Sequence, residues 1–161
     1  MERRGAPAHG GTFMALLGRI IVILFGLFMA TAMAGIVAAI ALLGLEMHML
    51  GPDPAEHVFF WGTAAFASAV TVFVGFLPIL IAVVLAEAYS IRSLLIYAFA
   101  GAAIFLLGYY SAGFTSSYEE SIDYPPPPIS RQAEIAAAVG VVFGFTYWLI
   151  AGRNSGRWRG S

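Results

Sequence analysis

The stretch AAFASAVTVFVGFLPILIA, from Ala64 to Ala82, decides the fold because its residues sort by size onto two faces of one helix. Small or mildly polar residues recur at alternating spacings of four and three, at Ala64, Ser68, Thr71, Gly75, Pro78 and Ala82. The opposite face carries bulky apolar residues, at Phe66, Val70, Phe73, Leu77, Leu80 and Val84. In water the smaller face would be charged and solvated, whereas in a bilayer it lets a second helix approach closely. The stretch therefore predicts a central transmembrane helix, kinked at its proline.

The composition of the whole chain is typical of an integral membrane protein. Of its 161 residues, 60% are hydrophobic and only 11% are charged, and the mean hydropathy is +0.86. Soluble globular domains are much less apolar and carry about twice as many charges. The absence of cysteine excludes disulfides, thiolate metal sites and cysteine nucleophiles.

Four apolar segments predict an all-α membrane protein with four transmembrane helices in an antiparallel bundle. Each segment is close to or above the length of about 20 residues that crosses the hydrocarbon core. The predicted helices, within a transmembrane domain over residues 13–152, cover residues 14–45, 54–87, 91–112 and 131–151. Residues 125–128 are consecutive prolines, and they predict a polyproline II spacer before the fourth helix, with a docking surface as the alternative.

The polar ends of the chain are expected to lie outside the membrane. Residues 1–12 predict a disordered arm, and residues 153–161 predict a basic tail. The first apolar segment also has the pattern of a secretory signal peptide, because Arg19 precedes an apolar run that contains Ala32-Met33-Ala34. That run continues to Leu45, well beyond the about 7 to 15 residues of a signal-peptide apolar region, so we expect a retained helix.

Small residues at helical spacing predict close helix packing outside the central helix as well. On the first helix they repeat at every fourth position, at Gly26, Ala30 and Ala34. On the fourth helix they form a GxxxG pattern with one further step, at Ala136, Gly140 and Gly144. Such ridges accept the backbone of a neighbouring helix, although alanine and glycine are also common in membrane helices by composition alone. We expect these faces to contact protein rather than lipid.

The turn between the second and third helices carries one charge at each end, Glu87 and Arg92. A connection this short makes the two helices antiparallel neighbours. The two side chains can hold the turn closed as a charge-assisted pair, or both can be solvated at the headgroup level, where such a pair contributes little. We favour the structural pair.

The arginines predict that both termini are cytoplasmic. All eight basic residues are arginines, and seven lie on the side of the arm, the turn after the second helix and the tail. Arg131 alone is on the other side. By the positive-inside rule the arginine-rich side faces the cytoplasm. The tail would contact anionic lipid headgroups, and three arginines are too few to indicate nucleic-acid binding.

The predicted outer loop contains residue types that bind metals, namely Glu46, His48, Asp53, Glu56 and His57. Their spacing matches no helical ligand motif such as H-E-x-x-H. The apolar segments contain no histidine, which disfavours a haem held between helices. We therefore expect neither a metal site nor a cofactor.

Two segments, AEAYSIRS at residues 86–93 and YWLIAGR at residues 147–153, resemble a group of small, uncharacterised proteins of the bacterial inner membrane. Those proteins have four helices and no known activity. The resemblance implies four membrane helices and a location in the bacterial inner membrane, and it implies no activity.

Two function classes fit the sequence. The first is a non-catalytic protein that acts by helix packing, as a homo-oligomer or as an accessory subunit of a larger membrane complex, and its ridges of small residues favour it. The second is a small transporter or an oligomeric channel lined by Ser68 and Thr71. The apolar segments lack the charges that usually mark a transport route, and we find no nucleophile with a base, so we do not expect an enzyme. We favour packing.

Overall fold

The structure, a computed structural model, describes residues 9–43, 54–112 and 130–156. These residues form four helices, α1 (His9–Leu43), α2 (Pro54–Ala88), α3 (Leu94–Ser111) and α4 (Arg131–Ile150), followed by a 3-10 turn (Gly152–Asn154). All four helices are long and apolar enough to cross a membrane. The predicted all-α membrane protein with four spanning segments is confirmed at this level.

Local sequence signals account for two of the helix ends. Ser130 precedes α4 in extended conformation, and its hydroxyl accepts a hydrogen bond of 3.1 Å from the Ala133 N–H, as expected of an N-cap. α3 begins at Leu94 rather than at residue 91, because Ser93 before it is in extended conformation. α1 already includes residues 9–12, which sequence analysis had assigned to the arm.

Several predictions lie outside the described residues. They concern the arm over residues 1–8, the ligand types at Glu46, His48 and Asp53, the prolines at 125–128, and the tail from residue 157. Two other members of the candidate metal cluster, Glu56 and His57, lie in the first turn of α2. Among the described residues no group of three metal-ligating side chains comes together.

The helices contact one another in the order α2, α1, α4, α3. α4 packs against both α1 and α3, and the main buried core lies around it, with Ala30, Ala34, Val139, Phe143 and Tyr147 among its members. α2 packs closely on α1 and touches α3 only lightly. The short turn therefore joins two helices that are adjacent but loosely packed.

The helices fall into a long pair and a short pair. α1 and α2 have 35 residues each, which at 1.5 Å per residue is about 52 Å. α3 and α4 have 18 and 20 residues, or about 27 and 30 Å. The hydrocarbon core is about 30 Å thick, so α3 and α4 match it while α1 and α2 must tilt or extend beyond it.

Candidate functional site

Polar groups from α1, α2 and α4 meet at one end of the helices, around the Arg19 guanidinium. Arg19 donates hydrogen bonds to the Glu87 carboxylate, with Nε 3.1 Å from Oε1 and Nη2 also in contact. The same Nη2 donates to the Ala151 carbonyl oxygen at 2.9 Å. The Arg19 and Glu87 side chains are only 10% and 14% exposed. Each charge therefore depends on the other for compensation, since a charge left alone in a mostly buried site is costly.

The residues after α4 bind the end of α2. Ser155 is fully buried, and its hydroxyl donates to the Ala86 carbonyl oxygen at 2.9 Å. The Gly156 N–H donates to the second carboxylate oxygen of Glu87 at 3.2 Å. Gly156 has a φ of 73°, and a Cβ atom there would lie 2.7 Å from the Ser90 Cβ atom, so both backbone conformation and space require glycine.

The turn between α2 and α3 forms three more hydrogen bonds, with α3, with α4 and with the residues that follow α4. The Arg92 Nε donates to the Ser155 carbonyl oxygen at 3.0 Å, and the Trp148 indole donates to the Arg92 carbonyl oxygen at 2.7 Å. The Tyr97 hydroxyl donates to the Ile91 carbonyl oxygen at 3.1 Å. We call Arg19, Glu87, Arg92, Trp148 and Ser155 the polar cluster. It joins α1, at Arg19, to the end of α2, the start of α3 and the end of α4.

These contacts give Glu87 a partner that the predicted turn pair did not include. Glu87 forms an ion pair with Arg19, and the Arg92 Nε donates to the Ser155 carbonyl oxygen. Arg19 is 68 positions away in sequence, and it reaches Glu87 because α1 packs between α2 and α4. One signal could have found it, because Arg19 is the only charge in the first apolar segment and such a residue usually has a partner. Whether Glu87 and Arg92 are energetically coupled stays a prediction.

The GxxxG residues of α4 lie against the backbone of α3. A Cβ atom on Gly140 would lie 2.8 Å from the Gly101 carbonyl carbon, and one on Gly144 would lie 2.7 Å from that of Tyr97. Side chains would therefore force the two helices apart. Gly101 forms the other half of this contact, and it was not among the small residues predicted to pack. Ala136 is partly buried in the next turn of α4.

The small residues of α1 face two neighbours within the chain. Ala30 and Ala34 are fully buried, and a Cβ atom on Gly26 would lie 3.2 Å from the Ala151 Cβ atom at the end of α4. Gly35, which the sequence analysis did not single out, faces α2 instead, and a Cβ atom there would lie 2.5 Å from the Ala64 carbonyl oxygen. The ridge on α1 thus serves packing inside the molecule.

The face of α2 with small residues lies toward other helices, and the face with bulky residues lies on the outside. Ser68 lies at the α1 contact, where its hydroxyl donates to the Ala64 carbonyl oxygen at 2.8 Å and lies 3.3 Å from that of Thr31. Thr71 and Gly75 line a groove beside α3, and Pro78 is partly buried inside the helix. The bulky residues point outward and are exposed, at Phe66, Val70, Phe73, Leu77, Leu80 and Val84.

Comparison of the chain with protein-family models, with curated proteins and with solved structures found no match. The resemblance to small inner-membrane proteins stays a prediction.

Proposed function

We propose that this protein is a non-catalytic integral membrane protein of the bacterial inner membrane that acts by helix packing. Its four transmembrane helices form an antiparallel bundle with both termini in the cytoplasm, and it works as a homo-oligomer or as an accessory subunit of a larger membrane complex. The observation that carries this proposal is that the hydroxyls of four threonines and of Ser68 in the membrane spans are bonded within the chain, while the outer surface of the helices is largely apolar.

The hydroxyls of four threonines illustrate this. Each donates to the carbonyl oxygen four residues earlier in its own helix, at distances of 2.8 to 2.9 Å, for Thr31, Thr63, Thr71 and Thr146. A polar solute that leaves water must find replacement hydrogen bonds along its route. Hydroxyls that already bond to their own helix are poor replacements. The arrangement therefore supports packing over transport.

Contacts between helices support the antiparallel arrangement and the shared side of the termini. On α3 and α4 the residue numbers run in opposite directions, because Tyr97 meets Gly144 and Gly101 meets Gly140. Arg19 near the start of α1, the α2–α3 turn and the end of α4 all meet in the polar cluster. A C-terminal fluorescent-protein fusion should be bright and an alkaline phosphatase fusion inactive, and the reverse pair of results would overturn this topology.

The face of α2 that points away from α1 is the surface we assign to the partner. α2 packs closely on α1 alone, and Phe73 on its outer face is 91% exposed. The small-residue faces of α1 and α4 already pack inside the molecule, so they are not available to a second protein. A partner helix is therefore expected against Phe66, Phe73 and Leu77.

Photo-crosslinking in intact membranes tests this proposal. A photoreactive phenylalanine analogue at Phe73 or Phe66 should give a protein adduct, whose mass distinguishes a second copy of this chain from a different subunit. The matched control is Phe99, an exposed phenylalanine on α3, which should give no protein adduct. Absence of adducts from both α2 positions would contradict the packing proposal. Solute flux in liposomes above that of empty vesicles, abolished by Thr71→Leu, would favour transport instead.

A further inference from the structure

An apolar groove follows the seam between α2 and α3 and ends beside Arg92. In the half nearer the polar cluster it forms a cavity of about 220 Å³, with Ala82 and Ala100 on its walls and Gly144 of α4 in its lining. A second cavity of about 300 Å³ continues the groove toward the other end of the helices. Ile104 lines both cavities, so the groove is continuous along α3.

The first cavity has the depth of one leaflet of a bilayer. On α3 its lining extends from Ile96 to Ile104, which corresponds to about 12 Å at 1.5 Å per residue. Half of the hydrocarbon core is about 15 Å. The cavity therefore matches the part of a hydrocarbon chain that lies in one leaflet.

An exposed arginine directly follows a residue that lines this end of the cavity. Ile91 lines the cavity, and the next residue, Arg92, is exposed. Within residues 9–43, 54–112 and 130–156, the hydrogen bond of the Arg92 guanidinium is the one from Nε to the Ser155 carbonyl oxygen. That bond fixes the base of the guanidinium and leaves its two terminal nitrogens for an outside anion. Arginine binds phosphate through two such nitrogens at once.

We propose that this groove binds one anionic phospholipid, with an acyl chain between α2 and α3 and the phosphate at Arg92. The apolar lining takes the chain because it offers little to a polar solute. The exposed arginine takes the headgroup, since anionic lipids are attracted by cations at the membrane surface. The bound chain fills a seam that the helices leave open.

Native mass spectrometry tests the apolar half of the site. The protein is equilibrated in mixed micelles with equimolar phosphatidylglycerol and phosphatidylcholine of identical chains. The wild-type protein should retain one lipid, with phosphatidylglycerol enriched about fivefold, as expected for one arginine near a headgroup. Ala100→Phe places a ring in the cavity and should abolish retention. Ala103→Phe is the matched control, because Ala103 is an exposed alanine on the same helix outside the cavity, and it should retain the lipid.

Two charge-removing substitutions test the headgroup half without changing the volume of the groove. Arg92→Gln should retain lipid but lower the enrichment to about one. Arg131→Gln removes the same charge at the other end of the helices, where Arg131 is exposed, and should keep the enrichment. Equal results for these two variants, or a wild-type lipid ratio equal to that of the micelles, would overturn the proposal even if Ala100→Phe fails to fold. A dimer mass that Ala100→Phe abolishes would also overturn it, because a second chain would then occupy the groove.

Discussion

The seam between α3 and α4 and the seam between α2 and α3 are both apolar, yet only the first is closed. Gly101, Gly140 and Gly144 bring the backbones of α3 and α4 into contact, whereas open cavities of about 220 and 300 Å³ lie between α2 and α3. Lipid is as apolar as the side chains on these helices, so burial against protein gives little advantage over burial against lipid. The difference shows that the position of glycine, more than apolar content, decides which helices associate closely.

The polar cluster compensates for the open seam at one end of α2. Glu87 bonds to Arg19 of α1, and Ser155 bonds to the Ala86 carbonyl oxygen. α2 is therefore held along its length by α1 and at its end by hydrogen bonds, without close packing on α3. Hydrogen bonds from charged groups are stronger than those between neutral groups, which suits them to this purpose.

The largest expected effect is that of a bulky residue in the closed seam. Gly144→Ile should lower the free energy of unfolding in detergent by about 3 kcal/mol or more, because its Cβ atom alone would collide with the Tyr97 backbone. The control is Gly62→Ile on α2, where a Cβ atom has no neighbour within 4 Å among the described residues. Equal losses for the two variants would mean that the α3–α4 seam is no tighter than an open helix surface.

The next effect concerns the ion pair that holds α2. A double-mutant cycle with Arg19→Gln and Glu87→Gln should give a coupling of about 1 to 3 kcal/mol, since each single change leaves the other charge mostly buried without its ion-pair partner. The cycle with Arg92→Gln and Glu87→Gln should give a smaller value. A coupling between Arg19 and Glu87 below about 0.3 to 0.5 kcal/mol would mean that this ion pair does not hold α2 in place.

A smaller effect is expected from one hydroxyl of the polar cluster. Ser155→Ala should cost about 1 kcal/mol of unfolding free energy, because it removes the donor to the buried Ala86 carbonyl oxygen. Ser93→Ala is the control, since Ser93 is exposed and its side chain makes no capping hydrogen bond to α3. If both substitutions lower the unfolding free energy by the same small amount, the residues after α4 do not stabilise the end of α2.

The features of this structure that depend on local sequence patterns could be predicted from the sequence. Apolar length predicted the four spans, and the GxxxG spacing predicted that one face of α4 suits a close neighbour. The identity of that neighbour depends on how the helices are arranged in space, so Gly101 was not foreseen. Arg19 was not predicted as a partner of Glu87 for the same reason, because nothing near residue 87 indicates a cation on α1. A short turn fixes only the ends of α2 and α3, and it does not require their middle parts to pack closely.

One pair of alanine substitutions on α3 compares the two seams most directly. A Cβ atom on Gly101 would lie 3.0 Å from the Gly140 carbonyl carbon, whereas one on Gly108, two turns further along, would lie 3.5 Å from the Val74 Cγ1 atom of α2. The measurement is the free energy of unfolding in detergent for both variants. We expect Gly101→Ala to lose about 1 to 3 kcal/mol through overpacking, and Gly108→Ala to be neutral or to gain about 0.5 to 1 kcal/mol from its better helix propensity. Equal effects, or a loss confined to Gly108→Ala, would contradict the claim that glycine contact closes one seam and leaves the other open.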